Sequence, residues 1–331
     1  MRLLILGGTG FLSSAVTEVC LEAGHEVTVF TRGRRPVPPG VTALVGDRAE
    51  GAEFVQRFAD SEYDGVLDCI CYTEADARAD LEAFAGRIGH LVMISTDFVY
   101  GAERSLPITE ECATAALSEY GRQKVHAEGA FRDAWESSRF PATALRPPHI
   151  MGARGQLGSG SLAGRNPMLL SRLEQGAPTF LLDGGALLIQ PVLHRDIARA
   201  ALATLGKPQC FGQVYNCAGP EAVTTRRYYE LIAELLEVEL QVAHLPSAVY
   251  LAAYPDRAPF VQHRMYDVSA LRRDAGYAPE TPVDHCIYEM VDWLQGSEAT
   301  QPYSQSARET ALLAALQQGE EAALAALREA S

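Results

Sequence analysis

With 331 residues, 47% hydrophobic and 21% charged, the chain can bury a full core as one large domain or two closely joined ones. A net charge of −14 excludes a general polyanion-binding surface, which needs clustered Lys and Arg, but still allows a small phosphorylated ligand held by a few donors. Nucleic acid is therefore not an expected partner, and neither is a membrane, since no stretch approaches the ~20 apolar residues of a spanning helix.

The opening run Met1–Leu6 is too short for a secretory h-region and ends in glycines, which predicts a cytoplasmic protein. Short apolar runs at Leu3–Leu6, Val27–Phe30, Thr42–Val45, Gly65–Ile70 and Leu91–Ile94 read as strands buried on both faces. Helical stretches lie among them at Ser14–Ala23, Glu53–Ala59, Glu74–Ala85 and Glu119–Glu136. Repeated βα units imply a doubly wound parallel sheet of the Rossmann type. The rhythm changes near Pro147. Residues 152–166, rich in Gly and Ser, read as a mobile loop with the makings of a lid. Helices are predicted at Pro167–Gln175, Ile197–Leu205 and Thr224–Leu236, the last with Thr224 or Thr225 near its N-cap. Val214–Cys217 reads as a further buried strand. From about Ser304 two Ala/Leu/Glu-rich helical pieces are predicted, broken at Gly319. They read as an appendage packed on the same chain, with a homodimer contact as the alternative.

Seven cysteines, an odd number, are scattered along the chain as Cys20, Cys69, Cys71, Cys112, Cys210, Cys217 and Cys286. They read as buried reduced thiols, and no metal site is expected.

The turn Gly7-Gly8-Thr9-Gly10-Phe11-Leu12-Ser13 sits between the first strand and the first helix. Glycines there let the backbone approach a pyrophosphate, and the helix N-terminus offers N–H donors at the positive end of its dipole. Gly7, Thr9, Gly10, Phe11 and Leu12 are the candidate contacts. Ser13 stands where the pattern usually has a third glycine and is small enough to replace it. The second strand ends at Thr31, where NAD-preferring folds usually place a carboxylate for the ribose hydroxyls, and Arg32 follows. An arginine there suits a 2′-phosphate, so NADP(H) is favoured, with NAD(H) as the alternative. After the third strand come Asp47, placed to accept from the adenine amine, and Arg48.

Tyr120 and Lys124 have the Tyr-x-x-x-Lys spacing in a helical stretch, which puts them on one helix face. A phenol of pKa ~10 is a poor base, and a neighbouring ammonium lowers that value by favouring the phenolate. Ser95 and Thr96 end the strand before, at the carboxyl edge of the sheet where open α/β sheets bind ligands.

Together these segments resemble the extended short-chain dehydrogenases, the NAD-dependent epimerase/dehydratase superfamily, over about residues 1–295. The resemblance rests on Gly7–Leu12, Ser95–Gly101 (Ser-Thr-Asp-Phe-Val-Tyr-Gly), Tyr120 with Lys124, Leu145–Ile150 (Leu-Arg-Pro-Pro-His-Ile), His194–Ala198 and Tyr215–Gly219. Thr31–Arg35 and Gly46–Arg48 are similar to a branch that includes the chloroplast stem-loop-binding proteins. The resemblance implies Thr96 as hydroxyl partner, Tyr120 as acid/base and Lys124 as its activator, with Pro147 and His149 beside the nicotinamide and substrate. It also implies a Rossmann core at 1–150 and 187–217, a smaller substrate lobe at 151–186 and 218–300, and the helical extension at 301–331.

Nucleotide-sugar enzymes often carry an arginine just before the segment that here begins at Gln190, and this chain has Ile189-Gln190. Arg154, Arg165, Arg257 and Arg264 are the candidates for gripping a diphosphate in its stead. Tyr72 is a candidate pocket wall, Gln190 a further candidate substrate contact, and His126 and His194 read as structural. Asp97 and His149 are the available second acid/base groups. The expected activity is NAD(P)-dependent oxidoreductase, epimerase or dehydratase chemistry on a nucleotide sugar or related polyhydroxylated small molecule. The alternative is a non-catalytic binding or scaffold protein, such as an RNA-binding relative, which need not keep the Thr96, Tyr120 and Lys124 set and should be basic.

Overall fold

The computed structural model describes residues 1–102 and 105–329. It divides into two compact units. The first comprises residues 1–155, 189–222 and 264–286, and the second 156–188, 223–263 and 287–331.

The first unit is built on β1 (Arg2–Leu6), β2 (Glu26–Thr31), β3 (Val41–Val45), β4 (Gly65–Asp68), β5 (Leu91–Ile94), β6 (Ala142–Arg146) and a last strand, Val214–Asn216. They form one parallel sheet in the order Val214–Asn216, β6, β5, β4, β1, β2, β3. The order reverses between β1 and β4, and open α/β sheets bind ligands outside the strand ends at such a point. Side chains alternate along β1 to fill both layers. Leu3 and Ile5 pack with Val16, Val19 and Cys20 of α1 (Phe11–Glu22) and with Ile197 and Ala201 of helix His194–Thr204. Leu4 and Leu6 pack on the other face with Phe54 and Phe58, Ala77 and Phe84, and Ala127 and Phe131. Those residues come from α2 (Ala52–Arg57) and the residue just past it, α3 (Glu74–Phe84) and α4 (Glu119–Ser138). Phe30, Phe54 and Phe58 meet edge to face at 5.2–5.6 Å between centroids, and such pairs add about 0.5–1.5 kcal/mol each beyond area burial. β3 differs from expectation. As the outermost strand it is intermediate to exposed along its whole length, not buried on both faces.

Residues 264–286, expected in the smaller lobe, group with the sheet, because Tyr266, Leu271 and Ala275 fill its apolar clusters. The second unit contains helix Thr225–Leu235, whose N-cap Thr224 accepts from Arg227 N–H at 3.0 Å, and the parallel pair Thr179–Leu182 with Val242–Leu245.

Within 152–166, expected as a mobile loop from its Gly and Ser content, residues 158–160 are tied down by hydrogen bonds. The Tyr228 and Tyr229 hydroxyls accept from Gly158 and Ser159 N–H at 3.1 Å, and Leu182 N–H donates to Gly160 O at 3.0 Å. Gly158 adopts φ +119°, and a Cβ there would lie 2.0 Å from Gly164 O, so the glycine serves close packing.

The tail also departs from expectation. One helix, Ala307–Glu329, runs through Gly319. Its Ala, Leu and Glu neighbours are strong helix formers and outweigh the ~1 kcal/mol that one glycine costs. The helix belongs to the second unit and is anchored there by Arg172, which pairs with Glu309 at 2.5 Å, and by Leu312, Leu313 and Leu316 against Phe180 and Leu182. The last two residues of the expected 301–331 extension lie outside the described residues. No helix among the described residues is long and apolar enough to cross a membrane.

Candidate active site

The β1–α1 turn is shaped by backbone demands. Gly7 and Gly8 have φ +111° and +85°, which disfavour any side chain. A Cβ on Gly8 would lie 2.5 Å from Val29 Cγ1, so the turn can pass under β2 only with glycine there. Ser13 does more than replace a glycine: its Oγ accepts from Gly10 N–H at 2.8 Å and closes the first turn of α1. Thr9 Oγ1 lies 3.3 Å from Thr31 Oγ1, and Arg35 Nη1 donates to Thr9 O at 3.0 Å. The glycine turn is thereby tied to the loop after β2.

A cleft of about 720 Å³ opens at this turn. Its walls carry Gly7–Ser13 without Gly8, then Thr31, Arg32, Arg34 and Arg35, then Asp47, and farther along Cys69, Ile70, Tyr72, Ser95, Tyr120, Lys124 and Ile150. The volume suits a dinucleotide. The glycine cradle and the N-terminus of α1 suit its pyrophosphate. Asp47 caps the short helix Arg48–Glu50 by accepting from Ala49 N–H at 3.1 Å.

Arg48, an expected cofactor contact, is held mainly by the protein itself. It lines the cleft but is 9% exposed, and its guanidinium is committed to carboxylates. Nη1 donates to Asp68 at 2.7 Å, Nη2 pairs with Asp80, and Nε lies 3.6 Å from Asp76. Burial would raise the Asp68 carboxyl, but the Arg48 charge and hydrogen bonds outweigh it and hold that carboxyl below the usual range. Asp80 is pushed well up by burial and by the Asp68 charge. Asp68, Asp80 and Cys71 are spaced to ligate a metal, but the guanidinium already engages both carboxylates.

At the far end of the cleft Tyr120 is 44% exposed and Lys124 only 2%. Gly121, beside Tyr120, must be glycine, because a Cβ there would lie 2.2 Å from Phe98 O. That close approach seats the start of α4 on the segment after β5. Thr96 lies close enough to the Tyr120 phenol to act against the rise of its pKa, and its Oγ1 lies 3.3 Å from Asp97 Oδ1. The expected lowering of the Tyr120 pKa by Lys124 is absent. Burial of the hydroxyl, with Tyr72 and Asp97 nearby, pushes it up to about 12. The reason is where the ammonium points. Lys124 Nζ donates to Cys71 O at 2.6 Å and Ile94 O at 2.7 Å, and lies 4.9 Å from the Tyr72 ring centre and 6.0 Å from that of Tyr120.

Several motif residues hold one another instead of facing the cleft. Ser95, although at the wall, donates to Glu128 at 2.5 Å, and Glu128 pairs with buried Arg146 at 2.6 Å. Arg146 donates to the Tyr100 hydroxyl at 2.9 Å, which donates to Asn216 Oδ1 at 2.7 Å. Sequence patterns marked Ser95, Tyr100, Arg146 and Asn216 but not Glu128, and could not show the side-chain network that ties β5, β6 and Val214–Asn216 together.

Of the substrate candidates, Tyr72 lines the cleft, half exposed. Asp97 is buried, accepts from Tyr266 Oη at 2.8 Å and pairs with Arg264 at 3.4 Å, which makes Arg264 a buried partner and not a surface grip. Burial raises the Asp97 carboxyl. Gln190 is also buried, bridging Gly219 O at 2.7 Å and Tyr266 N–H at 2.6 Å. Pro147 contributes its carbonyl to Asp97 N–H at 3.2 Å, and His149 is 6% exposed; neither lines the cleft. Arg154 is exposed and 3.9 Å from Glu18. Arg165 and Arg257 lie in the second unit, both exposed, Arg165 donating to Gln156 O at 3.3 Å and Arg257 3.7 Å from Asp256. His194 is buried, with its pKa pushed down to about 4 by burial, while His126 is exposed on α4. Arg34 and Arg35 were missed: the run of arginines after β2 was the available signal, and only Arg32 was read from it.

Residues 3–218 match the profile of the NAD dependent epimerase/dehydratase family. The chain belongs to that family. It is 30% identical to the 2′-dehydrokanamycin reductase of Streptomyces kanamyceticus, over 89% of this chain and 84% of that protein. It is 27% identical to the chloroplast stem-loop binding protein of 41 kDa b of Arabidopsis thaliana, over 67% and 60%. With the UDP-glucose 4-epimerase of Corynebacterium glutamicum it shares 28% identity over 48% of this chain and 54% of that one. Among solved structures, the UDP-glucose 4-epimerase of Thermotoga maritima with UDP-glucose has the same fold, with TM-score 0.74 at 16% identity over 89% of this chain and 99% of that one. The chain is an enzyme of the extended short-chain dehydrogenase type.

Proposed function

We propose that this enzyme is an NADP(H)-dependent reductase of a ketone on a polyhydroxylated, sugar-like substrate, with Tyr120 as proton donor. The observation that carries the reading is one cleft whose wall runs from the glycine turn to Tyr120 and Lys124. NADP(H) is favoured over NAD(H) because Thr31, not a carboxylate, ends β2, while Arg32, Arg34 and Arg35 line the same wall. The bound nicotinamide would supply the hydride. Tyr120, protonated at neutral pH with a pKa near 12, gives its proton to the substrate oxygen. Thr96 lies beside the phenol, and the Lys124 ammonium, held by the Cys71 and Ile94 carbonyls, sits 6.0 Å from the phenol ring centre.

Reduction is favoured over epimerisation or dehydration on two grounds. The reductase relative matches over most of both chains, the epimerase sequence over about half. Of the two candidate second acid/base groups, Asp97 is already engaged by Tyr266 and Arg264, and His149 is buried and does not line the cleft. A role in binding nucleic acid, as the name of the stem-loop relative describes for that protein, is disfavoured by the net charge of −14. No disulfide joins the cysteines among the described residues, which fits a reducing compartment such as the cytoplasm.

The test is to follow loss of the reduced nicotinamide when the full chain is mixed with NADPH or NADH and 2′-dehydrokanamycin or other keto sugars, and to seek epimerisation of UDP-glucose in parallel. Turnover of a keto sugar with NADPH supports the reading. Epimerisation without net cofactor consumption overturns it.

A further inference from the structure

We infer that Arg48 is a positioning residue for Lys124, acting through the backbone of residues 70–73 and not through the cofactor. The inference deepens the proposed function and rests on its reading of Lys124 as part of the reaction site. The path is continuous. Arg48 is paired with Asp68 at 2.7 Å and lies 3.6 Å from Asp76. Asp68 Oδ1 accepts from Ile70 N–H at 2.7 Å. Asp76 Oδ2 accepts from Tyr72 N–H and Thr73 N–H, both at 2.9 Å, and from Thr73 Oγ1 at 3.0 Å. Three of the four N–H groups of this segment thus end on carboxylates that share one guanidinium. Between them the Cys71 carbonyl points the other way and accepts from Lys124 Nζ at 2.6 Å, while the Tyr72 ring lies 4.9 Å from the same ammonium.

The logic is electrostatic and geometric. The planar fork hydrogen-bonds Asp68 and Asp80 at fixed angles, which a lysine at position 48 cannot do, while Nε, 3.6 Å from the Asp76 carboxylate, adds charge without a hydrogen bond and Nη2 reaches the Asp76 carbonyl at 3.4 Å. With the carboxylates fixed, the loop is fixed, and so are the carbonyl and the aromatic face that seat the ammonium. Asp80, buried beside Asp68 on Arg48 Nη2, closes the remaining side of the fork. Asp68, Cys69, Cys71 and Glu128, with the Tyr72 and Tyr120 rings, are the titratable groups around Lys124, so its placement feeds into the pH dependence of turnover.

The experiment compares full-length Arg48→Lys, Tyr72→Leu, Tyr72→Phe and Lys124→Met with wild type, reading kcat, KM for NADPH, the pH profile of kcat and the melting temperature. Arg48→Lys is expected to lower kcat about tenfold with KM for NADPH little changed, and to shift the pH profile, because small misplacements at a reacting centre are felt in kcat. A raised KM with unchanged kcat would make Arg48 a direct cofactor contact and overturn the inference. A lowered melting temperature with wild-type kinetics would make it merely structural, which also overturns it. If Arg48→Lys does not fold, Tyr72 decides. Tyr72→Leu should shift the pH profile in the direction of Lys124→Met, and Tyr72→Phe, which keeps the aromatic face, should restore it; an unshifted profile in Tyr72→Leu refutes the seating. Wild-type kcat in Lys124→Met would sink the underlying reading of the site, an outcome separable from the others.

Discussion

The two ends of the cleft are built in opposite ways. At the glycine turn the groups come from short runs of sequence, Gly7–Ser13 and Thr31–Arg35, and Arg32, Arg34 and Arg35 are exposed to whatever occupies the cleft. At the reaction end the polar groups come from residues tens of positions apart and are already spoken for. Lys124 is held by two carbonyls, Ser95 by Glu128, and Asp97 by Tyr266 and Arg264. An open, local end suits recognition of a charged ligand. A pre-bonded end suits chemistry, because its donors need no reorganisation when charge develops. Arg48 marks the divide: it follows Asp47 in sequence but belongs by its bonds to the pre-bonded end.

This contrast can be broken by substitution. The largest effect is expected for Tyr120→Phe, which should lower kcat about 10²- to 10⁴-fold with cofactor affinity retained; steady-state kinetics with NADPH measures both, and a wild-type kcat would remove the phenol from the chemistry. Next comes Glu128→Leu, which strands buried Arg146 and should destabilise the fold by about 3–5 kcal/mol in denaturant titration. Arg32→Ala, at the open end, should leave stability alone and raise KM for NADPH about tenfold while that for NADH stays put, as for loss of one charge-assisted hydrogen bond.

Two pH effects are smaller. With Tyr120 near pKa 12, the reductive rate should show no limb from this phenol between about pH 6 and 9, since the donor stays protonated throughout. His90 and His194, both buried with pKa values near 4 against an ordinary 6.5, remain neutral in the fold while the unfolded chain takes up protons. The unfolded state therefore binds more protons between pH 6.5 and 4, and stability should fall on acidification through that window by a few kcal/mol in all, a slope that pH-dependent melting would reveal.

Legibility in the sequence follows the same divide. The parallel sheet and the glycine turn were readable because each depends on a contiguous pattern: an apolar run, a turn, a helix start; the strand order and β6, Ala142–Arg146, were not read. Tyr120 and Lys124 were readable as a spacing on one helix face. The direction of the Lys124 ammonium was not, because it is set by Cys71 and Ile94, and the loop carrying Cys71 is held by Asp68 and Asp76. Arg264 and Gln190 read as ligand contacts from their residue types alone, whereas burial against Asp97, Gly219 and Tyr266 commits them to the fold. Gly319 read as a helix break because a local signal was weighed without its helix-forming neighbours, and the loop at 152–166 read as mobile because the two tyrosines that hold Gly158 and Ser159 lie about seventy residues away.

The most direct measurement is a crystal structure of the full chain with NADPH. The account predicts the pyrophosphate against Gly7–Gly10 and the start of α1, the 2′-phosphate among Arg32, Arg34 and Arg35, and the nicotinamide beside the Tyr120 hydroxyl and Lys124. A cofactor seated elsewhere, or a nicotinamide out of reach of that hydroxyl, would contradict it.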